Sequence, residues 1–185
     1  EGMLIASYAI GASVAYNYLR GEFIDEQRKV FLKALDEAIQ HNFVGKNILS
    51  SKISIDVHCL LGAGAYIVGE ETAMLESIEG KRGMPRTKPP FPAIKGLYGK
   101  PTIINNTETL ASIPKIMLNK DDWYKDIGLD SSEGMKIFCM SGHVNKPGNY
   151  EIPLGTKFST LLDMAGGGRD GGKLKAVIPG GSSVP

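Results

Sequence analysis

Apolar and polar positions along the chain repeat with two different periods. Residues 2–11 suit a helix, with Gly11 at its end. Val14, Tyr16 and Tyr18 then alternate with smaller residues toward Arg20 and Gly21, which is a strand pattern. Over residues 25–42, Val30, Phe31, Ala34, Leu35, Ala38 and Ile39 recur at helical spacing with acids and lysines between them. That stripe predicts a helix packed on a sheet. Ile53, Ile55 and Val57 alternate again within a strand expected over residues 53–61. Strand, helix and strand in this order predict a right-handed β-α-β unit with parallel strands, whose ligands gather beyond the carboxyl ends.

The stretch at that edge is LLGAGAYIVGEETAMLESIEG, residues 60–80. Gly62 and Gly64 permit a sharp turn and a close ligand, and a helix follows. Its first amides suit an anion. A G-x-G-x-x-G fingerprint fails because Ile67 stands where the third glycine belongs. Gly64 and Gly69 have P-loop spacing, but Glu70 and Glu71 stand where lysine and a hydroxyl are required, and carboxylates there repel a terminal phosphate. A plain NTPase is therefore disfavoured. Glu70 and Glu71 either line a ligand site or complement the helix dipole.

Between Gly80 and Asn106 stand six cations (Lys81, Arg82, Arg86, Lys88, Lys95, Lys100), no acids, five prolines, and the aromatics Phe91 and Tyr98. An aperiodic segment of that length is a binding loop or disordered, and its aromatics favour binding. Asn105 and Asn106 precede a helix expected over residues 108–117 with a bend or restart at Pro114. They either cap that helix or meet a heterocycle edge. Residues 120–133 turn to Asp, Lys, Gly and Ser, the composition of a linker. Strands follow over 136–144 and 149–154, joined by a turn through 145–148. A helix over 158–165 and a strand over 175–178 complete a small α+β domain of the β-grasp kind.

Composition narrows the possibilities. With 42% hydrophobic and 22% charged residues the chain is globular, and no apolar run approaches the ~18 residues that cross a bilayer. A net charge of +1 argues against general nucleic-acid binding, so the basic segment is a local feature. Cys59 and Cys139 read as small buried strand residues without a disulfide framework. His58 and Cys59 are adjacent on a strand and face opposite ways, which disfavours a shared metal. His41 and His143 read as surface residues, and residues 180–183 as an ordinary turn. The first residues show neither an initiator Met nor a signal-peptide pattern, the expectation being an excised internal fragment.

The run GAGAYIVGEETAMLESIEGKRGMPRTKPPFPAIKGLYGKPTIINNTETLASIP, with EGMLIASYAIGASVAYNYLRGEF before it and LKAVIPGGSSVP at the end, resembles the NADH-binding, flavin-carrying subunit of respiratory complex I. It is also similar to relatives in soluble NAD-dependent hydrogenases and formate dehydrogenases. The resemblance implies an α/β, Rossmann-like parallel sheet with flanking helices over residues 1–128, the C-terminal part of an FMN/NADH-binding domain. A β-grasp domain of SLBB type over 134–185 would follow, incomplete at its C-terminus. It implies hydride transfer from NADH to FMN and single-electron transfer onward to iron–sulfur clusters toward quinone. The cofactors do the chemistry, and protein residues position them. Gly64, Tyr66, Gly69, Glu70 and Glu71 would line the flavin and nicotinamide pocket, Glu71 tuning its electrostatics. Asn105 and Asn106 would approach FMN from the other side, Lys88 would add a ligand contact, and Phe91 would stack on adenine.

Val68 stands where relatives often carry cysteine. The family's first FMN loop would lie upstream of Glu1 and the ligands of its 4Fe-4S cluster downstream of Pro185, so the isolated fragment is expected to bind FMN weakly or not at all and to be inactive. Implied partners are NADH and other complex I subunits, notably the small thioredoxin-like 2Fe-2S subunit, with no nucleic acid and no membrane insertion. The implied location is the peripheral arm on the cytoplasmic side of the bacterial inner membrane, or the mitochondrial matrix. A hydrogenase or formate dehydrogenase subunit, or a piece acting only as an interaction module, remain the alternatives.

Overall fold

The computed structural model of the chain describes residues 1–181, apart from the side chains of Lys120 and Asp121. The chain divides into two compact units, Glu1–Pro114 and a second that begins at Lys115. In the first, α1 (Gly2–Ile10) ends at Gly11 as its spacing predicts. β1 (Val14–Leu19) and β2 (Asp56–Leu61) pair in parallel, Val14 opposite Asp56 through Leu19 opposite Leu61, with α2 (Glu26–Gln40) between them in sequence. Tyr16 and His58, cross-strand partners, stack with ring centroids 5.2 Å apart. The described parallel sheet has these two strands.

The unit's core sits where α3 (Glu71–Ile78) meets its neighbours: Ile55, Val68, Ala73, Leu75 and Leu97 are buried, and so is Thr72. The Tyr18 hydroxyl shares a 2.9 Å hydrogen bond with Ser77 Oγ, tying β1 to α3. The α2 stripe is narrower than predicted. Phe31, Leu32, Leu35 and Ala38 are half-buried, whereas Val30 and Ile39 are exposed. After the one-turn helix α4 (Pro92–Lys95) comes α5 (Thr107–Lys125).

That helix does not restart at Pro114, which lies inside it, and it corrects the expected linker by continuing to Lys125. Proline at 114 cannot donate to Leu110 O, and its ring crowds that carbonyl. Gly2 abuts that same carbonyl, so closely that a β-carbon on it would collide with Leu110 O. The polar residues after 118 read as linker because an exposed helix has the same composition. The short strands β3 (Gly128–Leu129) and β4 (Ser132–Glu133) pair antiparallel where linker was also expected.

In the second unit, β5 (Met135–Met140) and β6 (Gly148–Pro153) form the expected antiparallel pair, followed by α6 (Phe158–Met164). Val144, Ile152, Leu161 and Ala165 are buried. Cys139 is exposed rather than buried. The strand expected over 175–178 does not form: these residues join no ladder, and Ile178 is exposed. β-Branched residues make a strand only where a partner offers hydrogen bonds. Pro179 and Gly180 form a turn; Ser182 and Ser183 lie outside the described residues.

Leu75 is 1% exposed and Val30 64%. Leu75→Ala should destabilise the protein by about 3 kcal/mol and Val30→Ala by less than ~0.5 kcal/mol, read from denaturant midpoints. Equal effects would contradict this placement of the core.

Candidate functional site

Beyond Leu61 the chain crosses the carboxyl end of the sheet. Gly64 has φ +86°, a left-handed conformation that side chains rarely adopt. Gly21, just past β1, lies so near that a β-carbon on it would fall 2.7 Å from Gly62 O and 2.8 Å from Gly64 N. The two strand-end loops are thus packed backbone to backbone. Arg20 and Glu22 pair at 2.8 Å beside them, and the Glu22 carboxylate faces Gly64. A 3-10 turn, Tyr66–Gly69, precedes α3. Its Val68 is buried against Gly83, and its Tyr66 is 94% exposed.

Glu70 is the N-cap of α3. Its Oε2 accepts from the Ala73 amide at 2.8 Å and from the Thr72 hydroxyl at 2.6 Å. The Thr72 hydroxyl, the Ala73 and Thr72 amides and the charge of Lys88 hold its carboxyl down at about 2, against the opposing effect of burial. Lys88 reaches both acids, hydrogen-bonding Glu71 and lying 3.6 Å from Glu70. The hydrogen bond that it donates to Glu71 raises the pKa of Lys88. So the paired acids carry a neutralising cation from the basic segment.

That segment is ordered by α3. The Arg86 guanidinium donates to Glu76, to Glu79 at 2.7 Å and to Gly96 O at 3.0 Å, and its backbone amide donates to Thr72 Oγ1 at 2.8 Å. Glu79, with its side chain 7% exposed, also accepts from Lys81 at 2.7 Å and from the Tyr98 amide at 2.8 Å. Hydrogen bonds from Lys81 first, then from Arg86 and the Tyr98 amide, together with the Arg86 charge, hold its carboxyl at about 2 although burial opposes them.

A hollow of ≈ 990 Å³ lies in this unit, lined by Gly69, Asn105 and Asn106 together with Tyr16, Asn17 and Tyr18 of β1. Asn106 Oδ1 also accepts from the Glu108 amide at 2.7 Å, the capping role. The sequence-predicted residues therefore fall into three groups. Gly69, Asn105 and Asn106 share the hollow; Glu70, Glu71 and Lys88 form one ion-paired cluster; Tyr66 and Phe91 are exposed and line neither. Gly64 shapes the turn. Asn17, 8% exposed, was missed, though a polar residue amid aromatics on a strand is a signal. Arg86 was missed too: its acid partners Glu76 and Glu79 lie ten and seven positions before it, outside the reach of helical spacing.

Residues 1–115 match the model of the Nuo51 FMN-binding domain. The chain belongs to the Nuo51 FMN-binding domain family. Residues 137–185 match the SLBB domain. Over its whole length this Nuo51-family chain is 52% identical to an NADH-quinone oxidoreductase F subunit of Rhizobium meliloti (strain 1021), covering 44% of it. It is 53% identical to the NADH-quinone oxidoreductase F subunit of Rickettsia bellii (strain OSU 85-389), again over its whole length, covering 45% of that relative. The chain thus spans less than half the length of these curated relatives. A solved NAD+-reducing [NiFe]-hydrogenase in the H2-reduced state superposes with TM-score 0.73 at 38% identity, over 90% of this chain and 28% of that one. The parallel α/β unit and the SLBB-type unit agree with the expected fold class. Among the described residues no helix is long and apolar enough to cross a membrane.

Glu70 and Glu79 are both held below their ordinary value near 4.5, so the folded protein binds fewer protons than the unfolded chain between about pH 5 and pH 2. Stability is therefore expected to fall as pH drops through that window. Glu79→Gln should lower stability at pH 7 and flatten the acid limb of melting temperature against pH. An unchanged acid limb would contradict the network.

Proposed function

We propose that this chain is part of the flavin subunit of an NADH-quinone oxidoreductase, in which residues 1–128 form one wall of the FMN and NADH cleft and residues 134–185 an SLBB-type module. The observation that carries the reading is the match of residues 1–115 to an FMN-binding domain, with Gly69, Asn105 and Asn106 on one hollow beside the Glu70–Glu71–Lys88 cluster. The donor set suits such a group: side-chain amides can meet the polar edge of a heterocycle, and Tyr16 and Tyr18 offer aromatic faces. Bound FMN would supply a two-electron acceptor for hydride from NADH and a one-electron donor to iron–sulfur centres.

The protein's part is positioning and electrostatics. Gly69 faces open space, so a flat ring can approach its backbone. Asn105 and Asn106 orient the ring by its edge. Phe91, 56% exposed, offers its face to adenine, and Tyr66, 94% exposed, offers its own to a ring entering the cleft. Glu71 opposes negative charge gained on reduction and favours the positive nicotinamide of the product, while Lys88 balances that charge when no nucleotide is present.

The whole protein is then an NADH dehydrogenase subunit carrying a 4Fe-4S cluster, partnered by other complex I subunits including the small 2Fe-2S subunit. It sits in the peripheral arm on the cytoplasmic or matrix side. The hydrogenase superposition keeps a soluble hydrogenase parent as the second reading, and the subunits that co-purify with the full-length protein distinguish them.

The full-length protein should bind FMN saturably and oxidise NADH; failure of either contradicts the reading. Glu71→Gln in that protein should raise the flavin potential and weaken NAD+ retention, each by about 1 kcal/mol, roughly 20 mV for a two-electron couple. Redox titration and product-release kinetics check both, and no change in either would count against the electrostatic role.

A further inference from the structure

We propose that Arg86 is a positioning residue for the dinucleotide, holding the segment that carries Lys88 and Phe91 in register with the helix that carries Glu70 and Glu71; the inference rests on the NADH-binding reading above. Phe91 is more than half exposed, so packing does not hold its ring. Its place is set by the backbone that bears it: the adjacent Pro92 is buried and accepts from the Thr102 amide at 2.9 Å, and the ends of the loop are fixed separately. Arg86 fixes both ends at once. Its backbone amide bonds Thr72 Oγ1, and the Thr72 hydroxyl donates in turn to Glu70, the cap of α3. Its guanidinium grips Glu76 on α3 and Glu79 at the C-cap of that helix, and donates to Gly96 O on the far side of Phe91. Glu79 secures that far side a second time through the Tyr98 amide.

The span between residues 86 and 96 is thereby a closed loop whose two ends meet at one guanidinium. Fixing the ends reduces the backbone freedom that the loop would otherwise lose on binding. The geometry requires arginine: a planar fork serves three acceptors in different directions, whereas an ammonium on a flexible stem is a single point charge. The side chain is 24% exposed and the Glu79 side chain 7%, so the clamp is shielded from solvent.

The test uses the full-length protein with FMN bound, and compares Arg86→Gln and Arg86→Lys with the wild type in NADH oxidation by a soluble one-electron acceptor. Both variants should raise KM for NADH about tenfold while kcat stays within about twofold and flavin content is unchanged. A general loss of folding would lower kcat and flavin content together, which sets the two explanations apart. If Arg86→Gln does not accumulate, Glu79→Gln carries the same expectation for KM. The inference is overturned if KM is unchanged in these variants, or if Arg86→Lys matches the wild type, since charge alone would then suffice. A wild type that does not oxidise NADH overturns the reading beneath it, whereas an active wild type with unaffected variants overturns the Arg86 inference alone.

Discussion

The acids of α3 are the constraint on which the first unit depends. The segment from Gly80 to Asn106 has six cations, no acid and no apolar period, so it adds little to the core beyond Leu97 and cannot neutralise itself. Helix α3 supplies what it lacks. Glu76 and Glu79 take Arg86 and Lys81, and Glu70 and Glu71 take Lys88. Pairs of this kind at the surface stabilise little, but Glu79 is nearly buried, and removing a partner from a buried charge costs several kcal/mol. The segment's shape is therefore set by charge and hydrogen bonding where apolar burial is scarce.

The same helix joins the other parts. Tyr18 reaches Ser77 from β1, the glycine turn enters at the N-terminus of α3, and Leu75 fills the core beneath. The N-terminal carboxylates are already satisfied: Glu70 by Thr72 and Ala73, Glu71 by Lys88. A ligand arriving there meets two carboxylates that share one ammonium, a residual negative charge rather than two bare ones. On the proposed reading, that residual charge favours a nicotinamide that becomes positive.

What the sequence disclosed followed from local periodicity. β1, α2 and β2 were legible because alternation and helical spacing are set by the residues themselves, and their order implied the parallel pairing. The glycine turn was legible because Gly62 and Gly64 have few other uses at the end of a strand. Charged residues were harder. Glu70 had two readings, and its carboxylate caps its own helix; Asn106 caps α5 while also lining the hollow. Arg86 could not be read because its partners lie seven and ten positions away, across a turn whose direction no propensity fixes. The helix through Lys125 and the missing ladder over residues 175–178 were misread for two reasons: polar composition does not separate an exposed helix from a linker, and β-propensity supplies no partner strand.

The most direct test of the cleft is a structure of the full-length protein with FMN and NADH bound. The account predicts the flavin ring within about 4 Å of Gly69, Asn105 and Asn106, with the adenine on the ring of Phe91. Cofactors bound with those four residues turned to solvent and untouched would contradict it.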